Sequence, residues 1–286
     1  MYETHRVKHD HEIFSRSEFK DIPLVKKLFK KAYHQLGTSG GGNHFVEFGV
    51  VNMTEDLRID GKLKLPKGEY LALLSHSGSR GLGANIAKHY TYLAQKQCPL
   101  PKQVQHLAWL NLDKHDGMEY WLAMNLAGDY AKACHDNIHY RVAKALGTKI
   151  TVTIENHHNF AWKEMVNGEE CIVHRKGATP AGKDVLGIIP GSMTAPGYIV
   201  RGLGNERSLN SASHGAGRRF SRSECKSKFT RSDVKHLLNM NQVELIGGDV
   251  DEAPQAYKDI RKVMANQQEL VEVIGEFTPK IVRMDK

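Results

Sequence analysis

Five short, mostly apolar runs each lead to a histidine, or follow one, that stands among small or polar residues such as glycine, serine or asparagine. Phe45 to Val51 follows Gly40-Gly41-Gly42-Asn43-His44, and Glu69 to Leu74 runs into Ser75-His76-Ser77-Gly78. Ile150 to Ile154 precedes Asn156-His157-His158-Asn159, and Cys171 to Val173 precedes His174-Arg175-Lys176-Gly177. Tyr198 to Val200 leads through a polar loop to Ser213-His214-Gly215-Ala216-Gly217. Runs of that length, bounded by turn residues, are strand signals. A histidine at the junction of strand and loop is better placed for ligation or phosphate work than for core packing, and there are 16 histidines in the chain.

Helical periodicity lies between these runs. It is found near Ile22 to Tyr33, from Ala84 to Gln97, and from Gly117 to Leu146 with Gly147 suited to the C-cap. Lys26, Lys27, Lys30 and Lys31 fall on the polar side of the first helix and read as a solvated face. His135 and His139 are spaced for metal binding, but no third ligand stands near them and they read as structural or exposed. The tail holds Asp249 to Lys258, a helix, and a strand near Leu270 to Phe277. Without a repeat, a low-complexity linker or a clear boundary, residues 1–286 are expected to form one α+β domain with mixed and antiparallel sheets around a histidine-rich metal centre.

Chemistry follows from what surrounds the histidines. Glycine loops let backbone amides approach a phosphate, arginines present planar donors to it, and imidazoles hold borderline divalent metals. Period-2 alternation puts Asn43, Phe45 and Glu47 on one face of their strand and His44, Val46 and Phe48 on the other. Glu47 could then meet a nucleobase edge or a ribose. Arg80, Arg175 and Lys176 are expected near phosphates. His214, between small residues and followed by Arg218 and Arg219, can attack a phosphate to give a phosphoramidate. Phosphoryl or nucleotidyl transfer is the leading class.

Bulk properties narrow the partners. Lys+Arg of 40 against Asp+Glu of 32 gives a net charge of +8, compatible with a polyanion. No apolar run reaches the ~20 residues of a membrane span. The charged start of the chain lacks an apolar signal core, and the four cysteines form no close pair, so a cytoplasmic protein with reduced thiols and no membrane partner is expected.

Along the chain stand, in order, Leu36-Gly-Thr-Ser-Gly-Gly-Gly-Asn-His-Phe-Val-Glu, Ser75-His-Ser-Gly-Ser-Arg-Gly, His158-Asn159, Val173-His-Arg-Lys-Gly-Ala-Thr, Pro190-Gly-Ser-Met and Ser213-His-Gly-Ala-Gly-Arg. Together, and in this order, these six stretches resemble the RtcB family of RNA-splicing ligases. The resemblance implies a GTP- and Mn2+-dependent ligase that joins RNA 3′-phosphate or 2′,3′-cyclic phosphate ends to 5′-hydroxyl ends. His214 would be the guanylylated histidine, and His44, His76 and His158 the metal ligands. It implies nucleotide contacts from Asn43, Glu47, His158, Asn159, Pro190, Gly191, Ser192, Met193, Gly197, His214, Gly215, Ala216, Gly217, Tyr257 and Lys286. An accessory activator fits the family, and the chain is expected to act as a monomer. Members also carry an Asp-x-x-Cys element upstream of the glycine loop. None precedes Gly37 here, so the chain reads as a member without its N-terminal portion. The competing readings are an impaired RNA-binding paralogue or fragment, and a metal-dependent phosphoesterase.

Overall fold

Residues 11–285 are described by the computed structural model, and they group into two units whose segments alternate along the chain. The first unit takes the described residues up to Gly40 and returns for His76–Lys149; the second takes Gly41–Ser75 and Ile150–Lys286.

The first unit is helical: α1 (Glu18–Asp21), α2 (Pro23–Gln35), α3 (Arg80–Gln97) and α4 (His115–Ala145). Pro23 opens α2, where a missing N–H leaves no bond unmade. Val25 and Ala32 face inward, and Leu36 just beyond α2 joins them in packing with Leu82, Ile86, Tyr90, Leu126 and Tyr130. The Tyr130 hydroxyl donates to the Ala32 carbonyl at 2.7 Å. α3 begins four residues before the periodicity suggests, because Gly81 and Gly83 in its first turn look like loop residues in sequence. Gly81 is there for a close approach: a Cβ would stand 2.7 Å from Lys31 Cδ, and its N–H donates to Gln35 Oε1 at 2.9 Å. His135 is half-buried, with Nε2 3.3 Å from the Ser77 carbonyl oxygen, in keeping with a structural role.

The second unit is built on strands. β1 (Phe45–Met53), β2 (Leu57–Ile59), β3 (Lys62–Leu65) and β4 (Gly68–His76) come first, followed by β5 (Asn159–Val166), β6 (Glu169–Lys176), β7 (Ala178–Pro180), β8 (Leu186–Ile189), β9 (Gly197–Gly202) and β10 (Ser211–Ser213). After α5 (Arg222–Lys228) and α6 (Arg231–Met240) come β11 (Glu244–Ile246), α7 (Ile260–Ala265) and β12 (Val271–Met284). The main sheet runs β4-β1-β12-β9-β8, with β11 added parallel to β12. The pairs β1–β12, β12–β9, β9–β8, β10–β7, β2–β3 and β5–β6 are antiparallel, and the fold is α+β as expected.

β12 is the long central strand. Pro279 within it stands between the stretch paired with β9, which ends at Phe277, and the stretch paired with β11, which starts at Ile281. Its absent N–H therefore interrupts neither ladder. Opposite Pro279 is Gly49, next to the register shift between Phe48 and Gly49. Three apolar clusters fill this unit, centred on Ile189 and Val200, on Val282 and Met193, and on Ile274 and Leu57.

Two sequence expectations need correction. Ile150 to Ile154 forms no strand: Val152 and Ile154 are half-buried and alternate with exposed neighbours, but the segment joins no ladder. Alternation reports burial and cannot report hydrogen-bond partners. Helices α5 and α6 were not expected, although each opens with a capping box, Ser221 with Glu224 and Thr230 with Asp233.

Candidate functional site

His214 follows β10, and β10 is held in place by its pairing with β7, Ser213 opposite Ala178. Beyond Ala178 the chain turns at Gly177, whose N–H donates to the His158 carbonyl at 3.0 Å, so the β5–β6 hairpin delivers His158 to the same place. The two imidazoles stack with centroids 5.0 Å apart and planes inclined by 20°. Gly177 turns the chain with φ +71° and faces His214, where a Cβ would touch Cε1 and Nδ1 at an ordinary 3.7 Å. His214 Nδ1 is buried and has no hydrogen-bond partner. Buried polar atoms are nearly always paired, so an orphaned imidazole nitrogen in a glycine-walled recess is what a site completed by a ligand looks like.

The Pro190 loop closes on the other side. Ala216 N–H donates to the Pro190 carbonyl at 3.1 Å, and a Cβ on Gly215 would come 3.1 Å from that oxygen. Gly191 is packed against Pro196 so closely that a Cβ would stand 2.3 Å from its carbonyl oxygen. Ser192 accepts from Ala195 N–H at 3.0 Å, Met193 is buried in the cluster of Val282 and Met284, and Gly197 opens β9 beside Pro190. The expected residues Pro190 to Met193, Gly197 and His214 to Gly217 are thus brought together.

A second chain of contacts runs from Gly217. Its carbonyl accepts from Lys258 N–H at 2.9 Å, and Arg218 forms a β-bridge with Tyr257. Arg218 lies over the Tyr257 ring, 5.2 Å from its centroid, and both reach Glu252. Burial, with the Glu252 carboxylate beside it, pushes the Tyr257 hydroxyl well above its ordinary value. Glu252 is buried and also takes Arg222 Nε at 3.0 Å. Arg222 in turn approaches the glycine loop, 3.8 Å from where a Gly42 Cβ would be. That loop carries Asn43, exposed, and His44, half-buried, into β1. Three residues on, Glu47 is buried on the inward side of β1, and burial pushes its carboxyl up to about 8. Asn159 is the exposed first residue of β5. His76 ends β4 and belongs to the helical unit. Lys286 lies outside the described residues.

Arg175, expected near phosphate, and Arg218, which follows the His214 loop, are both otherwise engaged. Arg175 is buried, with Nη1 and Nη2 on Glu164 at 2.6 and 2.9 Å, Nε on Ser211 Oγ at 2.8 Å, and its guanidinium 4.9 Å from the Trp162 ring centroid. Arg218 spends its donors on Glu252, Asp251 and Phe220. Lys176 is exposed, and Arg80 in the helical unit donates to Thr38 Oγ1 at 3.2 Å. Among the described residues, no group of three or more His, Cys, Asp or Glu is gathered to hold a metal.

Sequence reasoning missed Glu252 and Gln267. Gln267 is buried, and its Oε1 accepts from Ser213 N–H at 2.9 Å, steadying the residue before His214. Glu252 had a weak signal in the acidic run Asp249-Val-Asp-Glu; Gln267 had none.

These features define an α+β protein with a histidine seated in a glycine cradle between a hairpin and a proline loop. The family model described as tRNA-splicing ligase RtcB matches residues 3–285, and the chain belongs to the RtcB family. It is 38% identical over 262 residues to RNA-splicing ligase RtcB1 of an Escherichia coli strain, covering 85% of this chain and 59% of that protein. It is 32% identical over 302 residues to the tRNA-splicing ligase RtcB of Nanoarchaeum equitans, covering 93% and 63%. With RNA-splicing ligase RtcB homolog 1 of Entamoeba dispar the figures are 32% over 284 residues, 87% and 52%. The chain therefore spans between about half and two thirds of the length of these relatives.

Proposed function

We propose that this chain is an RNA ligase, one domain over residues 1–286, that uses GTP to join RNA 3′-phosphate or 2′,3′-cyclic phosphate ends to 5′-hydroxyl ends. The observation that carries the reading is His214, with a buried, unpartnered Nδ1 in a cradle made by Gly177, Gly215 and Pro190. An imidazole nitrogen of His214 attacks the α-phosphorus of GTP; the N–P bond forms and pyrophosphate leaves. An oxygen of the RNA 3′-phosphate then takes the GMP and frees the imidazole. The 5′-hydroxyl attacks that activated phosphorus, a phosphodiester forms, and GMP leaves.

The rest of the cradle has matching work. Glu47 and Tyr257 would meet the guanine, with Asn43 and Asn159 toward its sugar and phosphates and Lys286 as a further contact. Ser192 and the amides of Gly215 to Gly217 would line the phosphate path. Mn2+ would act as a Lewis acid on phosphate, with His44, His76 and His158 as imidazole donors. Among the described residues no set of three His, Cys, Asp or Glu ligands is gathered. The proposal places the chain in the cytoplasm as a monomer, open to an accessory activator.

Incubation with α-labelled GTP and Mn2+ should leave an acid-labile label on the protein, and His214→Ala should abolish it. Wild-type protein that takes no label with metal supplied is not a ligase of this kind. An active His214→Ala variant would point to a phosphoesterase, and labelling or RNA binding without joined product to an impaired paralogue.

A further inference from the structure

The exposed side of α2 has an unusual charge pattern. Lys26, Lys27, Lys30 and Lys31 are all exposed, and the helix contains no acidic residue. The spacing makes Lys26/Lys30 and Lys27/Lys31 like-charged i,i+4 neighbours, an arrangement that costs a helix stability in water. A helix face that is merely solvated normally offsets such pairs with intervening acids. Here none of the four lysines enters an ion pair among the described residues. The nearby acids Glu18 and Asp129 are both taken up by Arg16, each at 2.5 Å.

Two further observations say what would cover this face. Phe29, at the border of the lysine face beside Lys26, is 38% exposed and packs with Tyr33 at 6.2 Å (planes 25° apart), Phe19 and Phe14, so an aromatic cluster edges the cations. The lysines also lead somewhere: the Lys31 stem lies over Gly81, and the adjacent Arg80 is anchored to Thr38. Charge is divided accordingly between the units. The described residues of the helical unit hold 15 Lys and Arg against 8 Asp and Glu, whereas those of the strand unit hold 22 against 22.

We propose that the lysine face of α2 is a docking track for the backbone of single-stranded RNA, with Phe29 offering a stacking surface for a base. Cations that follow a backbone, with an exposed aromatic at their border, suit sequence-tolerant single-strand recognition. An acidic protein would answer the charge but would have no use for the exposed ring. The inference rests on the RNA-ligase reading and adds to it a surface on the helical unit, besides the His214 cradle of the strand unit.

The test is binding of a 5′-hydroxyl single-stranded RNA, followed by fluorescence anisotropy across a salt series, to wild type and to K26Q/K27Q/K30Q/K31Q. All four side chains are exposed, so the variant should keep its fold, and thermal unfolding and GTP labelling of His214 should match wild type. RNA affinity should fall by at least about tenfold, and the slope of log affinity against log salt should flatten by about 3, the amount for four single-strand phosphate contacts. The K26R/K27R/K30R/K31R variant should bind as wild type does. Unchanged RNA affinity and slope in the glutamine variant overturn the proposal while leaving the ligase reading intact. So does a poly-glutamate peptide that displaces the RNA at equal charge concentration, which would assign the face to a protein partner. Failure of wild type to label with GTP strikes at the ligase reading instead.

Discussion

Glu47 sits on the inward side of β1 with its carboxyl pushed up to about 8 by burial alone. Its ordinary value is 4.5, so between those limits the folded chain holds a proton that the unfolded chain releases. Stability is then fully present below about pH 4.5 and declines as pH rises toward 8, by up to about 5 kcal/mol if no other group compensates. Urea unfolding at pH 5.5 and pH 8 should show the loss in wild type. Glu47→Gln, which stays neutral throughout, should flatten the profile; an unchanged profile would mean Glu47 is already ionised at neutral pH. At this same scale the sequence was most informative for residues whose neighbours are small. His214 and the Pro190 loop could be recognised because glycine and proline mark backbone constraints directly. Arg175 and Arg218 misled because a guanidinium suits phosphate and carboxylate alike, and only the fold brings Glu164 and Glu252 to them.

β1 and β12 are matched by a device smaller than either strand. At Gly49 the register shifts, and a Cβ there would stand 2.3 Å from the Thr278 carbonyl oxygen and 2.6 Å from the Phe277 ring. Gly49→Ala should push the two strands apart next to Glu47, costing about 2–3 kcal/mol. Chemical denaturation would check the stability, and amide exchange should show the loss of protection centred on Thr278 rather than spread over the sheet. Elements were legible where composition and period agreed, as in β1 and α4. They were missed where the determining information lay outside the segment. Ile150 to Ile154 has a strand's pattern without a ladder, and β7 with β10 makes a ladder of three pairs from segments too short to show a pattern. The two capping boxes were legible and went unread.

Over the whole molecule, the uneven charge distribution separates two kinds of behaviour. The proposed GTP labelling would fall on His214 in the electrically balanced unit, and the proposed RNA docking on lysines in the basic one. Raising salt from 50 to 200 mM should therefore weaken RNA binding roughly fifty-fold for four phosphate contacts. Guanylylation at saturating GTP should change by less than about threefold, since contacts inside a closed cradle are poorly screened. Parallel titrations on one preparation would decide it: equal salt sensitivity would mean that both events use the same surface. The charge division could not be seen in the total of +8, because the units exchange segments along the chain.

The central position of β12 also sets an order of events in synthesis. β1 leaves the ribosome about 220 residues before the strand it must pair with, a wait on the order of ten seconds or more at usual elongation rates. During that interval β1 has an open edge, and Glu47 is in water with an ordinary carboxyl that is charged at neutral pH. The burial that raises its value is complete only when β12 closes the sheet. For this chain the burial of Glu47 and the pairing of β1 and β9 with their central neighbour both come in one late step, and a nascent chain stalled before Val271 has neither.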